Sequence, residues 1–269
     1  MKIAVYTGKE EPAGEERVQA LLKRLAEAGV CLYDIKGGQD PDKDTDMLMS
    51  VGGDGTFLNA SMMVAHLGIP VVGVNLGRVG FLSENRPEDV AEALLSGCYT
   101  LEDRSLLRAE LAGGGGQSVY ALNEVTVHRN GAALLAVDVT LNGVNLPTYW
   151  ADGLIVSTSS GSTAYSLSAG GPIVLPDAKV LIVTPIAPHN LNVRPLVVPD
   201  DAKISLKVSS RDMNVTFTAD NRSVDVKEGS VVDISLAQFS LKRVRLNDSD
   251  FINALTEKLY WGEDVRNIK

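Results

Sequence analysis

"MSVGGDGTFLNA" (residues 49–60) sets three glycines and one acid, Asp54, between an apolar run and a second apolar stretch. The run that leads into it, "MLMSV", has the length and composition of a buried strand. The stretch that follows, "TFLNASMMVAHLG", is long enough for a helix ending near Gly68. The glycine loop therefore lies where a strand hands over to a helix. In an open α/β sheet this is the carboxyl end of a strand, the edge at which ligands bind. Glycine lets backbone N–H groups approach a bulky anion and tolerates positive φ, so Gly52, Gly53 and Gly55 form a candidate anion cradle. No G-x-x-x-x-G-K-[ST] pattern occurs, and Leu58 stands where the dinucleotide fingerprint needs its last glycine. The loop belongs to neither class.

Outward from this loop, the first hundred residues keep the same alternation. "KIAVYT", "CLYDI" and "VVGVN" are further short apolar runs. "ERVQALLKRLAEAG" places Val18, Leu21, Leu22 and Leu25 on one helical face and stops at Gly29. "PEDVAEALLSG" starts on Pro87 and ends on Gly97, the usual asymmetry of a helix. Strands separated by helices predict a parallel sheet covered on both faces.

From about residue 99 the pattern changes to alternating residues. "VYALNEVTVHR", "LLAVDVTLNGVNL", "DGLIVSTS", "VLIVTPIA", "AKISLKVSS", "MNVTFTAD", "SVVDISLAQ" and "LKRVRL" read as strands of an antiparallel β domain. Asn142-Gly143 marks a tight hairpin, and "AGGGGQ" (residues 112–117) reads as a flexible hairpin loop. The last stretch, "DSDFINALTEKLYWG", has N-cap candidates at Asp248 and Ser249 and helical apolar spacing through Phe251, Leu255 and Leu259. A lone helix after a β domain must pack somewhere, and it is expected to return to the first domain. The expected fold class is thus α/β plus all-β. A Rossmann-like parallel-sheet domain spans 1–98 plus 247–269, and an antiparallel β domain spans 99–246.

The 269 residues are 45% hydrophobic and 22% charged, ordinary for a globular chain, with a net charge of −9. No block of Lys or Arg could follow a nucleic-acid backbone, so nucleic acid is not an expected partner. A local anion site built from backbone N–H groups needs no net positive charge. Cys31 and Cys98 are the only cysteines and read as reduced core residues rather than a disulfide framework. "MKIAVYTGKE" lacks the apolar region of a signal peptide, and no run reaches transmembrane length, so a soluble, cytoplasmic protein without a membrane partner is expected.

"GGDGT" (residues 52–56) resembles the signature shared by NAD kinases, diacylglycerol and sphingosine kinases and, more loosely, 6-phosphofructokinases. Three further segments resemble NAD kinases specifically: "NLGRVGFL" (75–82), "ALNE" (121–124) and "DGLIVSTSSGSTAYSLSAGGPIV" (152–174). The likeness runs in order over nearly the whole chain. It implies transfer of the ATP γ-phosphoryl group to the 2′-hydroxyl of the adenosine ribose of NAD, giving NADP. Such transfers depend on positioning and on neutralising phosphate charge. Asp54 is the expected catalytic residue, accepting a hydrogen bond from the 2′-hydroxyl and aiming its oxygen at phosphorus. An ordinary aspartate is a weak base, so orienting the hydroxyl counts for at least as much as taking the proton. Gly52, Gly53 and Gly55 would leave room for the ATP phosphates; Thr56 either caps the helix or donates to phosphate. Arg78 is a candidate phosphate cation at a position where many relatives carry His.

The resemblance also implies the dinucleotide's contacts. Asn75 would end its strand within hydrogen-bond reach, and Phe81 is either an apolar wall or a core residue. Asn123 and Glu124 would meet the adenosine portion, and Asp152 the nicotinamide carboxamide or ribose side. Ser160 and Thr163 would bond the dinucleotide while Ala164, Tyr165 and Ser168 line its pocket. Asp220-Asn221-Arg222 stands where relatives commonly carry Asp-Gly-Gln; Asn still suits the left-handed turn, but Arg222 adds charge. Mg²⁺ is expected to arrive with the ATP phosphates, since no ligand cluster suggests a protein-held metal. Homodimers or homotetramers are implied.

Three rival readings compete with this one. A lipid kinase of the same loop class would want a basic amphipathic helix, which is absent, and has no use for "GSTAYSLSAGGP". A catalytically silent dinucleotide-binding regulator has no need of an acid at the acceptor hydroxyl. A serine hydrolase would need a G-x-S-x-G elbow, and none of His66, His128 and His189 is placed as its base.

Overall fold

The computed structural model describes residues 1–8, 15–77, 80–112, 118–211, 214–246 and 251–262. Arg78, the cap candidates Asp248 and Ser249, and all but the first residue of the 112–117 loop lie outside that set. The chain begins β1 (Lys2–Tyr6), α1 (Glu16–Glu27), β2 (Cys31–Asp34), β3 (Met47–Val51), α2 (Asp54–Val64), β4 (Val71–Val74), α3 (Pro87–Ser96), β5 (Tyr99–Arg104). It continues β6 (Leu107–Leu111), β7 (Ser118–Ala121), β8 (Glu124–Arg129), β9 (Leu135–Leu141), β10 (Val144–Asn145), β11 (Tyr149–Ala151), β12 (Gly153–Thr158), α4 (Tyr165–Ser168). Then come β13 (Val180–Ile186), β14 (Leu196–Pro199), β15 (Ile204–Ser210), β16 (Asn214–Ala219), β17 (Arg222–Lys227) and β18 (Val231–Leu236). β19 (Leu241–Leu246) and α5 (Phe251–Leu259) close the chain. Two compact units result, Met1–Asp103 with Leu241–Lys269, and Arg104–Ser240.

The first unit is built on a six-stranded sheet in the order β2-β1-β3-β4-β19-β5. β1, β2, β3, β4 and β19 pair in parallel. Every residue of β3 and β4 is buried, the mark of strands covered on both faces. α1 contributes Val18, Leu21 and Leu25 to a core shared with Val5, Met49, Val72, Val90 and Leu94. α3 carries Pro87 in its first turn and ends on Gly97 in a left-handed conformation, as the sequence predicts. The β3–β4 register sets Val51 beside Val74, so Gly52 and Asn75 leave the sheet together. The Gly52 N–H still bonds the Val74 carbonyl at 2.8 Å.

β5 and β19 depart from the sequence reading. Both were expected in the antiparallel domain, yet β19 pairs with β4 in parallel, Arg243 facing Val71, and β5 lies beyond it. Within β19, Arg243 is only 4% exposed. Its guanidinium is neutralised by Glu84 at 2.6 Å and Glu102 at 3.3 Å, and Arg245 reaches Glu102 at 3.2 Å. A cation tolerates such burial only when paired. The cysteines are a second correction: they are free, as expected, but both are exposed. Cys31 opens the edge strand β2, and Cys98 follows the glycine that ends α3.

The second unit pairs a seven-stranded sheet, β10-β9-β15-β18-β6-β7 with β11 on β9, with a six-stranded one, β14-β13-β12-β8-β16-β17. Leu107, Val137 and Leu206 of the former share one core with Val127, Leu154 and Phe217 of the latter. Asn142 (φ 50°) and Gly143 (φ 81°) form the expected hairpin turn. The run "VYALNEVTVHR" is two strands, not one: β7 belongs to the first sheet and β8 to the second. Leu122 and Asn123 make the crossing.

α5 packs in the first unit, as expected: Ala254 and Leu255 are buried, and the Phe251 ring lies 6.1 Å from that of Phe81. Among the described residues no helix is long and apolar enough to cross a membrane. Because buried Arg243 neutralises two acids, Arg243→Ala is expected to destabilise the chain by about 3 kcal/mol in urea unfolding. A change below about 0.5 kcal/mol would contradict a structural role for that ion network.

Candidate active site

In the first unit the glycine loop behaves as the sequence predicts: Asp54 is the first residue of α2, and Gly53, with extended backbone, precedes it. The Asp54 carboxylate accepts three successive backbone N–H groups from the "NLGRVGFL" segment and its neighbour. Phe81 donates to Oδ2 at 2.9 Å, while Leu82 (3.1 Å) and Ser83 (2.8 Å) donate to Oδ1. Gly80 lies so close that a Cβ there would sit 1.8 Å from Asp54 Oδ1. The loop is tied down on its other side by Ser83 Oγ, which donates to the Gly52 carbonyl at 2.7 Å. Asn75 is spent in the same work: its amide nitrogen donates to the Ser83 carbonyl at 2.9 Å, and its oxygen accepts the Gly77 N–H at 2.7 Å.

Thr56 is the third residue of α2, and no side chain caps the helix, so the capping alternative is not realised. Its hydroxyl lies under Gly52, where φ is 148° and a Cβ would meet Thr56 Oγ1 at 2.5 Å. Gly53 and Gly55 are exposed on the outer face of the turn. Phe81 is half-buried, packed against Phe251 on one side and beneath the Lys258 ammonium, 4.4 Å from its ring centre, on the other. Ser83 and Lys258 are the residues that sequence reasoning missed here. Ser83 directly follows the recognised segment, whereas Lys258 carries no local signal.

The second unit uses the same device again. Asp220, in the hairpin between β16 and β17, accepts the N–H groups of Leu122 (2.9 Å), Asn123 (2.8 Å) and Glu124 (3.3 Å). This clamp is why the strand breaks between β7 and β8. The left-handed residue of the turn is Asp220 (φ 51°) rather than Asn221 as expected. Arg222 bonds the Tyr120 carbonyl. The serine-rich bend backs onto the same three residues: Thr158 Oγ1 donates to the Leu122 carbonyl at 2.6 Å, and a Cβ on Gly161 would lie 2.1 Å from the Asn123 oxygen.

Asn123, Glu124, Ser160, Thr163, Ala164 and Tyr165 are thus gathered around one bend. Thr163 Oγ1 donates to the Ser160 carbonyl at 3.4 Å, and the Tyr165 N–H bonds the Glu124 carboxylate. Tyr165 and Ser168 are exposed, Ser160 is buried, and Ala164 is half-buried. Asn123 is 8% exposed, and among the described residues its side-chain amide has no hydrogen-bond partner. Asp152 stands apart: the six residues of β12 separate it from this bend by about 20 Å of extended strand. There it pairs with the Arg129 guanidinium at 2.8 Å.

Glu124 is the electrostatic oddity of the second unit. Burial lifts its carboxyl from 4.5 to about 7, the Asp220 carboxylate adds to the rise, and the Tyr165 N–H opposes it. Burial also raises Asp220, against the three N–H groups it accepts and the charge of Arg222. Between pH 4.5 and about 7 the folded chain keeps a Glu124 proton that the unfolded chain has released. Its contribution to stability is therefore fully present below 4.5 and lost as pH rises through about 7. Glu124→Gln is expected to gain roughly 2–3 kcal/mol on wild type between the two ends of that range, measured by urea unfolding. A difference that stays flat with pH would contradict the raised carboxyl.

Two family models match the chain in order: the ATP-NAD kinase N-terminal domain over residues 15–100, and the ATP-NAD kinase C-terminal domain over residues 122–246. The NAD kinase of Flavobacterium psychrophilum is 42% identical over 260 residues, covering 94% of this chain and 88% of that protein. The NAD kinase of Bacteroides fragilis is 44% identical over 228 residues, 83% of this chain and 79% of that one. Among solved structures, yeast NADH kinase complexed with NADH aligns with a TM-score of 0.86 at 25% identity, covering 100% of this chain and 90% of its own. An Archaeoglobus fulgidus NAD kinase in complex with ATP aligns with a TM-score of 0.78 at 29% identity, covering 97% and 99%. Both clamped segments, residues 81–83 and 122–124, fall inside the matched regions, and the chain belongs to the NAD kinase family.

Proposed function

We infer that this chain transfers the γ-phosphoryl group of ATP to the 2′-hydroxyl of the adenosine ribose of NAD, with Asp54 orienting that hydroxyl and taking its proton. In the step a bond forms between the ribose 2′-oxygen and the γ-phosphorus, and the bond from that phosphorus to the β,γ-bridging oxygen breaks. ADP leaves with the electron pair, and the hydroxyl proton passes to the carboxylate and then to solvent. The observation that carries this reading is the Asp54 clamp. A carboxylate offers about four acceptor sites, and three are taken by the N–H groups of Phe81, Leu82 and Ser83. The remaining site, on Oδ2, is held in one direction, and such preorganisation is what phosphoryl transfer asks of the protein.

The first turn of α2, with the backbone of Gly53 and Gly55, supplies N–H groups to the ATP phosphates, and Gly52, Thr56 and Arg78 stand beside them. Mg²⁺ comes in on those phosphates, whose hard oxygens it prefers. Among the described residues no group of three His, Cys, Asp or Glu could hold a metal ion. Asn123 and Glu124 take the adenosine part of NAD. The Asn123 amide, without a partner among the described residues, offers both a donor and an acceptor to an adenine edge, and a Glu124 carboxyl half-protonated near neutrality can donate to a ribose or base oxygen or nitrogen. Ser160, Thr163, Ala164 and Tyr165 furnish the rest of the dinucleotide's contacts, with Asn75 and Phe81 shaping the loop. We further read the protein as cytoplasmic, where its two substrates are found, and as a homodimer or homotetramer.

The reading is tested by incubating the purified chain with ATP, Mg²⁺ and NAD and following NADP. Wild type is expected to turn over, and Asp54→Asn to lose at least about a hundredfold in kcat with NAD affinity changed less than about threefold. An Asp54→Asn variant with near-wild-type turnover would remove Asp54 from the chemistry. A wild-type chain that binds NAD and makes no NADP would instead favour the silent regulator.

A further inference from the structure

We propose that Lys258, on the C-terminal helix, is a positioning residue for the transfer: it holds the loop whose N–H groups aim the Asp54 carboxylate. The proposal rests on Asp54 being the group that receives the 2′-hydroxyl. The Lys258 ammonium donates to the Gly80 carbonyl and stands 4.4 Å above the centre of the Phe81 ring, a cation over an aromatic face. Gly80 and Phe81 are the two residues at the head of the clamp. Gly80 is the one packed hardest against Asp54, and Phe81 supplies the N–H to Oδ2. The Phe81 ring is closed from another side by Phe251 of the same helix. One helix thus fixes both the main chain and the side chain of the segment that turns the carboxylate.

The other supports of the loop leave its leading end to Lys258. Ser83 is held by its own hydroxyl on Gly52 and by Asn75, and Asn85 Nδ2 donates to the Gly73 carbonyl at 2.7 Å. Glu84 is anchored to buried Arg243. These ties secure residues 83–85 from the sheet. Among the described residues, the other bond of Gly80 runs from its N–H to the Ser83 carbonyl at 3.0 Å, which closes the turn on itself. The Gly80 carbonyl is fastened to the rest of the unit through Lys258. Burial lowers the Lys258 pKa on balance, with the Glu84 and Asp54 carboxylates opposing the fall and Arg243 adding to it.

The test is steady-state kinetics of the full chain carrying Lys258→Met and Lys258→Arg, alone and combined with Asp54→Asn. Lys258→Met is expected to lower kcat between about tenfold and a hundredfold, the cost of a misplaced catalytic group, with KM for NAD and ATP within about threefold of wild type. Lys258→Arg keeps a donor for the Gly80 carbonyl and is expected to recover most of the loss. If Lys258 acts through Asp54, the double variant Asp54→Asn/Lys258→Met is no slower than Asp54→Asn. Three results overturn the proposal: a folded methionine variant with kcat within about twofold of wild type; losses that multiply in the double variant; or a loss traced to unfolding, with a lowered melting midpoint and wild-type kcat per folded molecule. Wild-type turnover by Asp54→Asn alone would sink the catalytic reading of Asp54 instead, a separate and distinguishable failure.

Discussion

A carboxylate that accepts three consecutive backbone N–H groups is the interaction on which both halves of this molecule's chemistry depend. A chain leaving a sheet turns its N–H groups away from the ladder, and a buried N–H left unpaired costs roughly 1–3 kcal/mol. Asp54 satisfies three such groups at once, and Asp220 satisfies three in the other unit. Hydrogen bonds to an ionised acceptor are about twice as strong as neutral ones. Each aspartate therefore sets the path of a segment distant in sequence, and each is itself set in return. Asp54 is fixed by the loop it fixes, which is how a flexible side chain at the first residue of a helix becomes a directed group.

The sheet of the first unit makes that geometry available. Parallel pairing of β3 and β4 brings Gly52 and Asn75 out of the sheet side by side, so the glycine turn and the "NLGRVGFL" loop begin as neighbours. Small residues then permit the approach: a side chain at Gly80 would occupy the space of the Asp54 carboxylate. In the second unit the chain changes sheets between β7 and β8 through Leu122 and Asn123, and the buried carboxyl of Glu124 opens the second strand directly after them. Function sits where regular pairing stops, since only there are backbone and polar side chains free of the ladder.

Much of this was legible in the sequence, and the reasons for the rest are physical. β3 and β4 could be read because buried parallel strands are unbroken apolar runs, whereas Asp54 is singled out by the resemblance of "GGDGT" to a known signature, since glycines and an acid at a strand end also suit an ordinary turn. β19 could not, since its two arginines look exposed until Glu84 and Glu102, far away in the chain, are seen to neutralise them. Cys31 was read as core from the apolar run it opens, but an edge strand leaves its first residue to solvent. Ser83 and Lys258 act through main-chain carbonyls, which any sequence possesses, so nothing local announces them. Asp152 lies in a segment recognised by resemblance, yet the length of β12 sets it apart from the residues recognised with it.

The central claim is that the loop holds Asp54 so that its one open acceptor site meets the ribose hydroxyl. Its most direct test is a crystal structure of the chain with NAD, Mg²⁺ and a non-hydrolysable ATP analogue, read for one distance. The account predicts the NAD 2′-oxygen at about 2.6–3.2 Å from Asp54 Oδ2, with the three N–H bonds from residues 81–83 retained. A 2′-oxygen beyond about 5 Å, with the carboxylate still clamped and another side chain on the hydroxyl, would contradict it.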